Sequence, residues 1–126
     1  MSAPRLLLVE DNPADVMLLE MAFQDTGTSA DMEVCRDGEQ AIEKIASQPP
    51  PDAVILDLNV PRRDGLEVLE AIRESASWKS VPVMVFTACF APRDREQVAG
   101  FGAGFIRKPQ SYSGFLDIAT RLRALC

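Results

Sequence analysis

Histidine is missing from all 126 residues, which excludes imidazole acid–base catalysis, His metal ligation and phosphohistidine formation within the chain. Cysteine is scarce: Cys35, Cys89 and Cys126 are odd in number and widely spaced, so neither a disulfide framework nor a CxxC metal site fits. Free thiols in a reducing compartment are the expectation. Long apolar runs are absent too. The N-terminal run at 6–9 stops after four residues at Glu10-Asp11, too short and too soon charged for a signal peptide or a membrane span. Positive charge is in deficit, 13 Lys and Arg against 19 Asp and Glu, a net −6. Such a chain repels a phosphate backbone, so no nucleic-acid partner is expected, and no membrane partner either. The same excess favours cations wherever carboxylates converge. The expected location is the cytoplasm.

What is present is ordinary globular material, 47% hydrophobic and 25% charged. A chain of this length buries about two-thirds of its unfolded surface, enough for a core without staples. The expectation is one domain over 1–126, with no effector domain.

Short apolar runs at 6–9, 32–35, 53–58, 81–87 and 104–107 alternate with amphipathic stretches. Ala53-Val54-Ile55-Leu56 and Val83-Met84-Val85-Phe86 are continuously apolar, as strands buried on both faces read, whereas Met32-Glu33-Val34-Cys35 alternates like an edge strand. Between them lie helix signals. Asn12 suits an N-cap with Pro13 behind it, and Gly27 ends the helix. Ala41, Ile42 and Ile45 mark a second helix opening near Gly38, and Asp64 caps a third carrying Leu66, Val68, Leu69 and Ile72. A weak, polar fourth spans 92–101, and Phe115, Leu116, Ile118, Ala119 and Leu122 mark the last. Five strands and five helices in strict alternation, joined by short connections, predict an α/β domain with a parallel sheet covered on both faces.

In an open parallel sheet, ligands bind beyond the carboxyl ends of the strands. The residues that end the strands are Glu10-Asp11, Asp57, Thr87 and Lys108-Pro109. Each alone has an ordinary reading as a solvated acid, a turn former, a strand residue or a solvated amine. Together they put three carboxylates, a hydroxyl and an ammonium at one edge, and three acids there repel one another unless something neutralises them. The chemistry this suits is phosphoryl transfer to a carboxylate. Mg²⁺ takes carboxylate oxygens, an ammonium supplies a second positive charge, and a hydroxyl can donate to the transferred group.

These residues resemble the response-regulator receiver domains of two-component signalling. The resemblance runs from Leu6-Leu7-Leu8-Val9-Glu10-Asp11-Asn12, through Asp57-Leu58-Asn59-Val60-Pro61 and Asp64-Gly65-Leu66-Glu67-Val68, to Thr87, Gly102-Ala103 and Lys108-Pro109. It implies a flavodoxin-like doubly wound sheet of order 2-1-3-4-5, an order for which a chemotaxis receiver is a stock example. By the same resemblance Asp57 is the phosphoacceptor, and Glu10, Asp11, Asp57 and the Asn59 carbonyl hold Mg²⁺ or Mn²⁺. Thr87 and Phe105 are the switch pair, and Lys108 is the site lysine with a cis bond to Pro109. Asn59 and Cys89 stand where the family tunes phosphorylation and dephosphorylation. The implied donor is a sensor histidine kinase or a histidine phosphotransfer protein. The implied output is a change of protein contacts with a downstream target through the fourth helix, fifth strand and fifth helix. Tyr112, Leu125 and Phe90 are the candidate apolar contacts there for a partner or a homodimer. Glu10-Asp11-Asn12-Pro13-Ala14-Asp15-Val16 with Pro61-Arg62-Arg63-Asp64-Gly65 is similar to the stand-alone regulators paired with phytochrome-type kinases.

Other classes fit less well. Asp57-Leu58-Asn59-Val60 loosely resembles the nucleophile motif of haloacid-dehalogenase-type phosphatases, but that motif wants a second acid at the Asn59 position and a nucleophile on the first strand. A phosphorylation-independent adaptor would not require every site residue to be present. A flavin carrier needs a phosphate loop after the first strand, and none follows. The chain is therefore expected not to be an enzyme, beyond assisting its own phosphorylation and dephosphorylation.

Overall fold

The computed structural model describes residues 4–88 and 90–125. Cys89, Cys126 and the side chain of Leu125 lie outside what is described. Successive side chains of a strand point to opposite faces, so a run of consecutive apolar residues feeds two cores at once. The first strand, β1 (Arg5–Val9), does this: Leu6 and Leu8 face one side of the sheet, Leu7 and Val9 the other. The remaining elements are α1 (Pro13–Asp25), β2 (Asp31–Cys35), α2 (Gly38–Ser47), β3 (Ala53–Leu56), α3 (Gly65–Glu74), β4 (Val83–Thr87), α4 (Pro92–Gly100), β5 (Gly104–Arg107) and α5 (Tyr112–Leu125).

The strands form one parallel sheet in the expected order β2-β1-β3-β4-β5. Leu6, Leu8, Ile55, Met84 and Phe86 pack against Leu19 and Phe23 of α1 and Phe115, Ile118 and Leu122 of α5. On the opposite face Leu7, Val9, Val54, Leu56 and Val85 pack against Ala41 and Ile45 of α2, Val68, Leu69 and Ile72 of α3, and Val98 of α4. The edge strands β2 and β5 are only partly buried. Because β2 and β3 lie on either side of β1, the chain reverses its direction of winding there, and a crevice opens above β1 and β3.

Side-chain caps set the helix starts. Asn12 accepts from Ala14 N at 3.0 Å with Pro13 at the first helical position, and Asp64 accepts from Glu67 N at 3.0 Å. The second helix is capped by Asp37, which accepts from Gln40 N at 2.8 Å. The polar α4 gains its start from Asp94, whose carboxylate accepts from Ala91 N at 2.8 Å.

Two strands are shorter than their apolar runs. β3 stops at Leu56 rather than residue 58, because the chain turns there toward α3, with Leu58 O accepting from Gly65 N at 3.0 Å. β4 starts at Val83 rather than residue 81: Val81 N is committed to a turn with Trp78 O at 2.9 Å, and Pro82 has no N–H to give a ladder. Arg73 secures this side of the molecule. Its guanidinium donates to the carbonyls of Phe101 (2.7 Å), Lys79 (3.0 Å) and Val81 (2.8 Å), joining α3 to the loop before β4 and the end of α4.

The loop from β3 to α3 is held by close backbone approaches. A Cβ on Gly65 would stand 2.5 Å from Leu58 Cα and 2.6 Å from Asp57 O, and one on Gly38 would stand 2.0 Å from Arg63 O. Only glycine fits at either position. Arg62, at φ 72°, turns this loop through the left-handed region.

Candidate functional site

The sheet itself positions the site residues. Glu10, Asp57 and Lys108 each extend the ladder by one bond beyond their strands: Glu10 N to Cys35 O (2.9 Å), Asp57 N to Val9 O (3.0 Å) and Lys108 N to Thr87 O (2.9 Å). Their backbones are thus as rigid as the strands, and their side chains converge above the β1–β3 crevice.

Asp57 is buried, and each of its oxygens has a donor. Oδ1 accepts from Asn59 N at 3.0 Å, and Oδ2 from Lys108 Nζ at 2.9 Å. Lys108 Nζ also donates to Asp15 Oδ2 at 2.7 Å and lies 2.9 Å from Glu10 Oε2 and 5.4 Å from the centre of the Phe86 ring. Burial pulls the Lys108 pKa down, but the bonds to Asp15 and Asp57 and the charge of Glu10 outweigh it, leaving the ammonium more firmly protonated than an ordinary lysine. Glu10 is buried; its Oε1 accepts from Asn12 N at 3.2 Å, while Oε2, despite its closeness to Lys108, makes no hydrogen bond of good geometry. Burial first, then the charge of Asp57, push Glu10 up from 4.5 to about 7 against the opposing pull of Lys108.

Glu10, Asp11 and Asp57 present carboxylate oxygens that all lie within 4.8 Å of one another. A hard divalent cation binds oxygens at about 2.1–2.6 Å, so three such oxygens can be gathered around one ion with little movement. Glu10 Oε2 points the same way: it is buried and faces the Lys108 ammonium at 2.9 Å without a hydrogen bond of good geometry, which leaves it free to accept a cation as well. The residues fit a divalent cation.

Thr87 is buried at the end of β4, and its hydroxyl accepts from Asn59 Nδ2 at 2.9 Å. Phe105 is the register partner of Val85, two residues before Thr87, so Thr87 and Phe105 face the same side of the sheet on neighbouring strands. The Phe105 ring meets Phe90 edge-on at 4.7 Å, with the Arg95 guanidinium 5.6 Å from its centre. Cys89, expected among the tuning positions, is outside the described residues.

Residues 6–119 match the family model of the response regulator receiver domain. The chain belongs to the response-regulator receiver family. Among relatives of this receiver, the transcriptional regulatory protein TrcR of Mycobacterium tuberculosis is 38% identical over 124 residues, 96% of this chain and 44% of that protein. The chain therefore spans about half the length of such curated relatives. Among solved structures, the phosphorylated cyanobacterial phytochrome response regulator RcpA superposes with a TM-score of 0.87 at 27% identity, covering 96% of this chain and 91% of that one. The receiver domain of the sensor histidine kinase PA1611 from Pseudomonas aeruginosa PAO1, with magnesium coordinated in its active-site cleft, gives 0.77 at 27% identity, covering 98% and 99%.

Two sequence expectations about this region need correction. The Lys108–Pro109 bond, expected to be cis, is trans. The two forms of an X–Pro bond differ by only about 0.5–1 kcal/mol, so the surrounding turn decides, and here the Pro109 ring packs where a Cβ on Gly114 would stand. Phe90 and Tyr112, expected as exposed contacts, are half-buried: Phe90 covers Phe105, and the Tyr112 hydroxyl donates to Asp25. The large exposed apolar side chains among the described residues are instead Met17 and Met21 of α1, at 58% and 43%. Asp15 joins the site without a sequence expectation behind it, since an acid in the first turn of a helix is ordinarily explained by the helix dipole. Its position four residues after Asp11, on the turn that faces back toward the strand ends, was the available signal.

Proposed function

We propose that this receiver accepts a phosphoryl group on Asp57 from a phosphohistidine of a sensor kinase or phosphotransfer protein, with Mg²⁺ or Mn²⁺ held by Glu10, Asp11, Asp57 and the Asn59 carbonyl. The observation that carries the reading is the buried Asp57 carboxylate, pinned by Lys108 and by Asn59 N–H beside two further carboxylates that fit a cation. In the transfer an Asp57 oxygen forms a bond to phosphorus as the bond between phosphorus and the donor imidazole breaks, and the imidazole leaves with the electron pair. The cation, when bound, supplies positive charge that lowers the repulsion between carboxylate and phosphoryl group. Lys108 supplies a second charge already aimed at Asp57, and the Thr87 hydroxyl turns to donate to a phosphoryl oxygen. The product is a mixed anhydride and therefore labile.

Movement of Thr87 toward that oxygen vacates space on the face it shares with Phe105, which couples the site to the surface of α4, β5 and α5 where a downstream target or a second copy would be engaged. The magnesium-containing PA1611 domain and the phosphorylated RcpA support this reading by likeness. The likeness to RcpA also supports a phytochrome-type kinase as the donor. No helix among the described residues is long and apolar enough to cross a membrane, which accords with a cytoplasmic role.

The test is intact mass after incubation with acetyl phosphate, with Mg²⁺ and with chelator. The expected result is one phosphoryl group that requires Mg²⁺ and is lost in Asp57→Asn. Equal uptake by Asp57→Asn would overturn the acceptor assignment. A folded wild type that takes up nothing would favour the phosphorylation-independent adaptor.

A further inference from the structure

Asp15 makes the shortest of the polar contacts to Lys108, at 2.7 Å. Carboxylates reach the Lys108 ammonium from three elements: it donates to Asp57 after β3 and to Asp15 on α1, and it lies within ion-pair distance of Glu10 after β1. These are not equally deep. The side-chain exposure is 0% for Glu10, 5% for Asp57, 13% for Lys108 and 16% for Asp15. Asp15 therefore lies on the open side of the lysine, and Glu10 and Asp57 on the closed side.

The consequence is directional. Without Asp15 the ammonium is drawn only inward, toward Asp57 and Glu10 Oε2, the oxygens that the cation also needs. With Asp15 in place, an outer contact at 2.7 Å opposes the two inner ones at 2.9 Å, so the ammonium is shared between the pocket floor and its more open side, the side from which a phosphoryl group reaches Asp57. The anchor is stiff. Asp15 sits in the first turn of α1, whose start is fixed by the Asn12 cap, Pro13 and the bond from Val16 N to Asn12 O at 3.1 Å. Lys108 is fixed at the other end by its ladder bond to Thr87 O.

We propose that Asp15 is a positioning residue that draws the Lys108 ammonium toward the open side of the pocket, against the inward pull of Glu10 and Asp57, so that it meets the incoming phosphoryl group. The inference rests on the reading of Asp57 as phosphoacceptor. It also makes a prediction opposite in sign to that of bulk charge. Asp15 is a negative group facing an anionic donor, so if its charge were all that mattered, neutralising it would speed uptake. If it positions Lys108, neutralising it slows uptake, because misplacing a catalytic group by about an ångström is expensive.

The experiment is phosphoryl uptake from acetyl phosphate at saturating Mg²⁺, followed by intact mass, for wild type, Asp15→Asn and Asp15→Glu. Circular dichroism confirms the fold of each. Asp15→Asn is expected to slow uptake roughly tenfold, the size of one lost charge-assisted hydrogen bond. Asp15→Glu, which keeps the charge one methylene further out, is expected to fall between it and wild type. The second readout is the ¹⁵N spectrum of the lysine ammonium groups, in which the Lys108 signal is identified by its loss in Lys108→Ala. That signal is expected to shift or exchange away in Asp15→Asn. Unchanged or faster uptake by Asp15→Asn overturns the inference, as does slower uptake with an unaltered Lys108 signal. Absence of uptake by the wild type is a different failure: it removes the phosphoacceptor reading itself, and this inference with it.

Discussion

Gly65 is the point at which fold and site constrain each other most directly, and Gly65→Ala is the sharpest perturbation of that link. The added Cβ would lie 2.5 Å from Leu58 Cα and 2.6 Å from Asp57 O, whereas carbon contacts settle near 3.5–4.0 Å. The obstruction is backbone, not a side-chain tip that can swing away. Asp57 is tied to Val9 O at 3.0 Å, so the start of α3 must retreat by about an ångström, stretching the bond from Gly65 N to Leu58 O. Overpacking costs about 1–3 kcal/mol and the weakened hydrogen bond about 1 more. The lower entropy of alanine in the unfolded chain returns somewhat less than 1 kcal/mol. The net loss is about 2–3 kcal/mol. An unfolding entropy of about 2.1 cal/mol/K per residue turns this into a fall in Tm of roughly 10 °C for a chain of 126 residues. Thermal melts by circular dichroism read it, and Gly100→Ala, where a Cβ meets nothing within 4 Å, is the matched control. A Gly65→Ala protein melting within about 2 °C of wild type would refute the argument that the loop is clamped. The same variant should take up phosphoryl more slowly, since the movement falls on the main chain of Asp57.

Glu10 makes metal-free stability depend on pH with an unusual sign. Its carboxyl is raised from 4.5 to about 7, so between those values the folded state holds a proton that the unfolded state has released. The stabilisation is full below pH 4.5 and is lost as pH rises through about 7; at roughly 1.4 kcal/mol per pH step the total is about 3 kcal/mol. Denaturant melts in chelator from pH 5 to 8 should show this decline, Glu10→Gln should flatten it, and Mg²⁺ should restore stability at pH 8; a flat wild-type profile would count against it. Arg73→Met leaves three carbonyls without their donor and should cost about 2–4 kcal/mol in denaturant unfolding, with phosphoryl uptake at wild-type rate because α3 and α4 are joined there far from Asp57. A loss below about 1 kcal/mol would show that water replaces the guanidinium without penalty.

Much of this receiver was legible in its residues. Consecutive apolar runs such as Ala53-Val54-Ile55-Leu56 require a strand with two covered faces, and strict alternation with capped helices then leaves a parallel sheet as the consistent packing. Because strand ends of such a sheet share one edge, the sequence alone brings Glu10, Asp11, Asp57, Thr87 and Lys108 together. What tertiary structure alone decided are the quantities that depend on where elements meet. Asp15 joins the site only because α1 crosses above the end of β1 at a height that brings its first turn to Lys108, a distance no local pattern encodes. Phe90 and Tyr112 are half-buried and Met17 and Met21 exposed for the same reason: hydrophobicity is a property of a residue, but burial is a property of its neighbours.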